Sequence, residues 1–262
     1  MKFYMVKVLM VLLLICNSCD VTRETEPEPI FNPELDLLAY WPFRGNANDM
    51  SGNNAHGTIN GALFVEDRFQ KPFSAFYFDG SSFLKFDYSA TLSNLYESTT
   101  FNLWLKGDDF DRSAKIINNG QTMFADPPNA GYSIRIVKRP MYQTVSGQTE
   151  IWFHLIDVNN KREQVGFPIS ELPLNKYFML TAVFERKRDV STMKIYLNEK
   201  LMDLKEVLFD RIETSQPISI GALYRYEHYL IDEYFKGVID DVRIYKKALS
   251  DKEVTQLYSI TK

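Results

Sequence analysis

The residues of this 262-residue chain that could do chemistry are mainly carboxylates, amides and aromatic rings. The stretch Gly45-Asn46-Ala47-Asn48-Asp49-Met50-Ser51-Gly52 is dense in oxygen donors and carries glycines where the backbone must turn sharply. Near the C-terminus, Val238, Asp240, Val242 and Ile244 alternate, so an unbroken strand would put the Asp240 carboxylate on the apolar face. A buried charge must be ion-paired, hydrogen-bonded or metal-bound. Loop amides, Arg44 and Arg68 are the protein partners available to it. A second group is aromatic: Trp152 beside His154, and the run Leu223-Tyr224-Arg225-Tyr226-Glu227-His228-Tyr229. Flat rings with nearby polar groups suit sugar recognition, and tyrosine adds a hydroxyl to a rigid platform. On that reasoning Trp152, Tyr224, Tyr226, His228 and Tyr229 are candidate ligand contacts, against the simpler reading that these rings cover a sheet edge. Covalent catalysis finds little support. Histidines number three, His56, His154 and His228, and no nucleophile elbow or phosphate-cradling glycine loop is present.

The first residues have a different task. Lys2 and Lys7 supply a positive start before the apolar run 8–15, and Asn17-Ser18-Cys19 comes after it. This order of charge, apolar core and small residue is that of a secretory signal, and the run is far shorter than the roughly 20 residues of a spanning helix. Both cysteines, Cys16 and Cys19, lie here, so the rest of the chain has no disulfide framework. Cys19, preceded by small Ser18, resembles the lipid-acceptor cysteine of bacterial lipoproteins, with Cys16 standing where leucine is usual. The looser pattern is like that of Bacteroidota-type lipoproteins. The resemblance implies a signal at 1–18, a diacylated Cys19 and attachment to the outer membrane of the cell envelope through lipid alone. Residues 20–33 hold Glu24, Glu26, Glu28 and three prolines, a polar, extended tether. Its acidic start is similar to surface-export signals, which implies an outward-facing anchor. Removing residues 1–18 takes two lysines from an already acidic chain of 30 basic and 34 acidic residues. Nucleic acid is a poor partner for such a surface.

These residues must be positioned by strands. Phe101, Leu103 and Leu105 share one face while Asn102 and Lys106 take the other, and residues 132–136 repeat the parity. Residues 193–202 read as a hairpin turning at Asn198-Glu199, and 150–158, 178–185, 218–222 and 238–245 are further strands. Period-two patterning with one polar face predicts antiparallel sheets covered on one side. Ser250-Asp251-Lys252-Glu253 forms a capping box for a C-terminal helix of one or two turns. The expectation is one all-β domain over 34–262, a two-sheet antiparallel sandwich of jelly-roll type with a short helical turn at its end.

Two segments carry a closer likeness. One runs from Leu38-Ala39-Tyr40-Trp41-Pro42-Phe43 through Asn53-Asn54-Ala55-His56-Gly57-Thr58 to Phe78-Asp79-Gly80-Ser81-Ser82-Phe83. The other is Phe235-Lys236-Gly237-Val238-Ile239-Asp240-Asp241-Val242-Arg243-Ile244-Tyr245 with Ala248-Leu249-Ser250. Together they resemble the laminin-G-like, concanavalin A-like jelly-roll modules of bacterial secreted proteins, over nearly all of 34–262. The resemblance implies a structural Ca²⁺ that holds the N-terminal loop against the last strand. Asp49 and Asp240 are its first expected ligands, Asn46 the next, with backbone near Asp79-Gly80-Ser81. Laminarinase-type members carry a Glu-x-Asp-x-x-Glu strand, whose spacing is missing here. Tyr234-Phe235-Lys236-Gly237 echoes a motif of jelly-roll alginate lyases without the Gln-Ile-His and arginine-rich strands that accompany it. The resemblance therefore implies a non-catalytic, lectin-like module that binds a glycan or polysaccharide. The alternatives are an adhesion or scaffold module contacting another envelope protein, and, behind both, a jelly-roll hydrolase or lyase.

Overall fold

A computed structural model describes residues 31–93, 95–108, 110, 112–120, 130–138, 148–173, 175–225 and 230–262. The signal, Cys19 and most of the tether lie outside these residues, as do Tyr226, His228 and Tyr229. In chain order the strands are β1 (Leu37–Trp41), β2 (Gly57–Asn60), β3 (Leu63–Val65), β4 (Ala75–Asp79) and β5 (Phe83–Phe86). After the single turn α1 (Ala90–Ser93) come β6 (Thr99–Gly107), β7 (Ala114–Asn119), β8 (Gly131–Lys138), β9 (Thr149–Ile156) and β10 (Arg162–Pro168). Then follow β11 (Phe178–Glu185), β12 (Ser191–Leu197), β13 (Lys200–Val207), β14 (Ile218–Ile220), β15 (Leu223–Arg225), β16 (Leu230–Asp232), β17 (Lys236–Tyr245) and α2 (Asp251–Thr261).

The long strands fall where alternation placed them, and they build two antiparallel sheets. One is eight-stranded, β13-β12-β11-β6-β17-β4-β3 with β1 also on β17; the other is seven-stranded, β10-β9-β8-β7-β14-β5-β2. Their facing sides form the core, with Phe101, Leu103 and Leu105 of β6 meeting residues such as Ile134 of β8 and Phe153 of β9. Among the described residues no helix is long and apolar enough to cross a membrane.

The helix is longer than expected, eleven residues, because its apolar stripe has a sheet to cover. Val254 and Leu257 pack with Trp104, Met179, Val183 and Tyr245 on the outer face of the eight-stranded sheet. Trp104 stacks on Tyr258 at 5.7 Å. The capping box forms as read: Ser250 Oγ accepts from the Glu253 amide and Glu253 Oε2 from the Ser250 amide.

One strand departs from simple alternation. In β17, Ile239 pairs with Leu105 and Asp240 with Trp104, but Arg243 then pairs with Asn102, which leaves one extra residue in β17. Asp241 sits in the left-handed region at φ 54°. Such a bulge shifts side-chain parity. Ile239, Val242 and Ile244 face the core, while Asp240 joins Trp104 on the outer, helix-covered face. The expected sharing of a core face by Asp240 and Val242 is corrected by this single inserted residue.

Candidate functional site

Two polar assemblies stand out, one on the outer side of each sheet. The first contains the residues expected to hold calcium. Asp49 follows β1 and is buried. Its Oδ1 accepts from the amides of Tyr40 and Ser51, both at 2.9 Å. Its Oδ2 accepts from the Ser51 hydroxyl at 2.8 Å and the Ala55 amide at 3.1 Å. Burial opposes ionisation of this carboxyl, but the Tyr40, Ser51 and Ala55 amides outweigh it and hold the group below its ordinary range. Asp240 is ion-paired to Arg68 Nη1, and Arg68 Nη2 reaches Asp241 at 2.6 Å. Arg243 completes the set, 3.1 Å from Asp241 and donating to the Tyr40 hydroxyl at 2.9 Å. Burial, reinforced by neighbouring Asp241, pushes Asp240 up to about 7 despite Arg68. Asp241 stays low, because Arg243 and Arg68 overcome its own burial.

This arrangement does not fit calcium at Asn46, Asp49 and Asp240. Ca²⁺ needs about six to eight oxygens with lone pairs turned toward it. Here the Asp49 oxygens face four N–H or O–H donors, and Asp240 faces a guanidinium. Asn46 is exposed, its Oδ1 accepting from the Asn48 amide at 2.8 Å. Among the described residues no group of three or more His, Cys, Asp or Glu side chains is placed to hold a metal. The loop is nevertheless tied to the last strand. Tyr40 bridges the two, its amide on Asp49 and its hydroxyl on Arg243.

The second assembly lies on the outer face of the seven-stranded sheet. Reading across the registers, Gln164, His154, Ser133, Asn118, Ser219, Lys85 and Thr58 form one row that crosses all seven strands. A parallel row holds Gly166, Trp152, Arg135 and Lys115. Much of this polar floor is out of water: Asn118, Ser133 and Ser219 are 0% exposed, Lys115 2% and His154 5%. Both amide atoms of Asn118, and Nε of Arg135, are buried without a hydrogen-bond partner. Glu233 lies between the cations, 3.2 Å from Arg135 and 3.6 Å from Lys115, and its carbonyl accepts from the Lys115 amide at 2.7 Å. His154 is pushed down to about 3 by burial and then by Lys115, Arg135 and Arg162, so its imidazole is neutral at ordinary pH.

Trp152 and Tyr224 mark two ends of this face. Trp152 is half-buried, and its indole Nε1 donates to Glu150 Oε2 at 2.8 Å. Opposite it on β10 is Gly166, where an added Cβ would lie 2.4 Å from Trp152 Cδ1. The missing side chain lets the indole lie across the neighbouring strand. Tyr224 packs on the outward ring of Phe83 with centroids 5.8 Å apart, and the Lys85 ammonium sits 5.5 Å from its ring centre. Four strand spacings separate β9 from β5, about 19 Å at ~4.8 Å each. The two expected aromatic contacts thus share a face but stand too far apart to grip a single ring. Sequence reasoning missed Lys115, Asn118, Arg135 and Gln164, although the polar parity of β8 and β10 could have indicated the last two. Nothing in the composition of residues 114–119 announced a polar outer face, because a bulge breaks the alternation between Lys115 and Ile117.

Comparison with known proteins bears on the fold. No protein of curated function matches the sequence. The receptor binding domain of botulinum neurotoxin mosaic serotype C/D superposes with a TM-score of 0.65 at 21% identity, over 88% of this chain and 52% of that one. The ligand binding domain of botulinum neurotoxin serotype D, solved in complex with N-acetylneuraminic acid, gives 0.64 at 22% identity over 86% and 51%. The present chain spans about half the length of each, and at such identities the likeness is one of fold. The model of the concanavalin A-like lectin/glucanases superfamily, in its laminin-G form, matches residues 78–255, about two thirds of the sequence. With its two antiparallel sheets and terminal helix, this chain belongs to that superfamily.

Proposed function

We propose that the domain is a non-catalytic carbohydrate-binding module, using the outer face of the seven-stranded sheet, and that Cys19 anchors it by lipid at the bacterial outer-membrane surface. The observation that carries the binding role is Trp152, laid over Gly166 beside Gln164 and above a floor of polar groups. A flat indole gives a sugar ring an apolar platform, while Gln164 and its neighbours offer hydrogen bonds to hydroxyls. Holding polar side chains in a dry sheet face costs free energy, and a ligand-recognition role accounts for tolerating that cost. The resemblance in fold to a toxin domain solved with a sugar acid is consistent with this use.

The test is retention on immobilised polysaccharides and a glycan array, for the soluble form and for Trp152→Ala. Retention by the parent and its loss in Trp152→Ala, with an unchanged melting temperature, supports the proposal. Absence of retention on every glycan, with tight capture of one envelope protein, would replace it by the scaffold role. The anchor is tested separately: Cys19→Ser should shift the protein from the membrane fraction to the soluble fraction.

A further inference from the structure

The ligand strip beside Trp152 also has a charge, and we infer that it selects acidic oligosaccharides, those bearing carboxylate or sulfate groups, over neutral ones. The inference rests on the carbohydrate reading above and adds the class of sugar.

Three cations converge on this end of the sheet: Lys115, Arg135 and Arg162, all close enough to act electrostatically on His154. Among the described residues, Glu233 is shared between Lys115 and Arg135 and Glu150 accepts from the Trp152 indole, so three cations face two carboxylates. Arg162 is exposed on the edge strand β10. Its Nε and Nη2 donate to the neutral side-chain oxygen of Asn160 at 3.3 and 3.2 Å, and among the described residues it has no carboxylate partner. The rest of the chain has the opposite balance, with more acids than bases. A locally positive strip over a low-dielectric floor focuses its field outward and draws anions.

The strip also has the right layout. Gly166, Gln164 and Arg162 point to the same side of β10, spaced by ~6.7 Å steps along the strand. A sugar ring stacked on Trp152 would place the next units of the chain over Gln164 and then beneath the reach of the Arg162 guanidinium. A guanidinium matches a carboxylate or sulfate with two parallel hydrogen bonds, which a hydroxyl cannot reproduce. The second observation is Asn118, fully buried on the same floor with both amide atoms unpartnered, together with the unpartnered Arg135 Nε. Arg135 lies one strand from Trp152 and Asn118 three strands from Gln164, so the first borders the strip and the second marks the same sheet face as carrying unspent polar groups, of the kind that a bound ligand or the water it orders would satisfy.

The experiment is a binding titration of the soluble protein against polygalacturonate, chondroitin sulfate and neutral dextran of matched length, repeated for Arg162→Gln and Trp152→Ala. Arg162 is an exposed residue, so Arg162→Gln should fold normally. The expected result is preference for one or both acidic chains, weakened about three- to tenfold by Arg162→Gln and weakened again by raising salt. Polygalacturonate and chondroitin sulfate separate carboxylate from sulfate as the recognised group. Equal affinity for dextran and both acidic chains, unmoved by Arg162→Gln but lost in Trp152→Ala, would overturn the charge inference and leave the carbohydrate reading standing. No binding to either acidic chain by the parent would overturn the charge inference, while the carbohydrate reading falls only if the glycan array is blank as well.

Discussion

Replacing Asp49 with alanine measures what holds the N-terminal loop to the sandwich. The Asp49 carboxylate accepts four hydrogen bonds, three of them from backbone amides, of Tyr40, Ser51 and Ala55, at 2.9, 2.9 and 3.1 Å. Removing it leaves the Tyr40 amide, within a strand at the edge of the core, without an acceptor. The half-buried Ala55 amide loses its acceptor as well. A buried donor left unpaired costs about 1–3 kcal/mol, and a partly solvated one less, so the sum is about 2–4 kcal/mol. For a domain of this size each kcal/mol lowers Tm by about 2–4 °C, which gives a fall of about 5–15 °C for Asp49→Ala. Differential scanning calorimetry at neutral pH, with and without added calcium or chelator, is the assay. Neither addition should move the parent's midpoint, because the carboxylate is already occupied by N–H donors. A midpoint for Asp49→Ala within 2 °C of the parent, or a calcium-dependent rise in the parent that Asp49→Ala abolishes, would refute the reasoning and restore the metal.

Two further outcomes follow from the same region and from the helix. Asp240, with its folded pKa raised to about 7, binds its proton more tightly in the folded state than in the unfolded one. The stability this gives is fully present below the unfolded value near 3.8 and is lost as pH rises through about 7. Denaturant unfolding between pH 5 and 8 should therefore show stability declining with pH, and Asp240→Asn should flatten that slope; an equal slope in both proteins would count against it. Ser250→Ala removes the cap of the helix, whose Oγ accepts from the Glu253 amide, and should cost about 1 kcal/mol in urea titration. A loss well under ~0.3 kcal/mol would show that packing on Trp104 and Met179 alone fixes the helix.

The fold was legible because long strands advertise themselves. In β6 and β11 each alternate residue enters the core, and the parity read from Phe101, Leu103 and Leu105 survives in the structure. The short strands β2, β3 and β15, of three or four residues each, hold too few positions to show a period. The site was less legible for a different reason. A bulge moves a side chain to the opposite face without changing its neighbours in sequence, so Asp240 read as inward while the extra residue in β17 turned it outward. Trp152 and Tyr224 were visible as rings, but their 19 Å separation, at ~4.8 Å per strand, depends on a strand order in which β14 intervenes late in the chain. Gly166 had no reason to be noticed until Trp152 was found lying over it.

The two outer faces of the sandwich show how one architecture divides its tasks. On the eight-stranded sheet, α2 covers the strands with Val254 and Leu257, and the Arg68, Asp240, Asp241 and Arg243 network is tied off internally, Arg68 Nε donating to the Thr261 carbonyl at 2.5 Å. Every charge there has an opposite charge beside it, and the Tyr40 bridge does the mechanical work of fastening loop to strand. The seven-stranded sheet has no such helix among the described elements. Its outward row is polar on all seven strands, and the side-chain amide of Asn118 is buried there without a hydrogen-bond partner. A face built only for stability would pair those groups or replace them with apolar ones, since replacing unsatisfied buried polar groups by packed hydrophobic side chains is commonly neutral or favourable. Unpartnered buried polar atoms occur on the eight-stranded sheet too, at Asn102 Oδ1 and Asp241 Oδ1, so what sets the seven-stranded face apart is that its polar row lies beside the half-buried Trp152 ring.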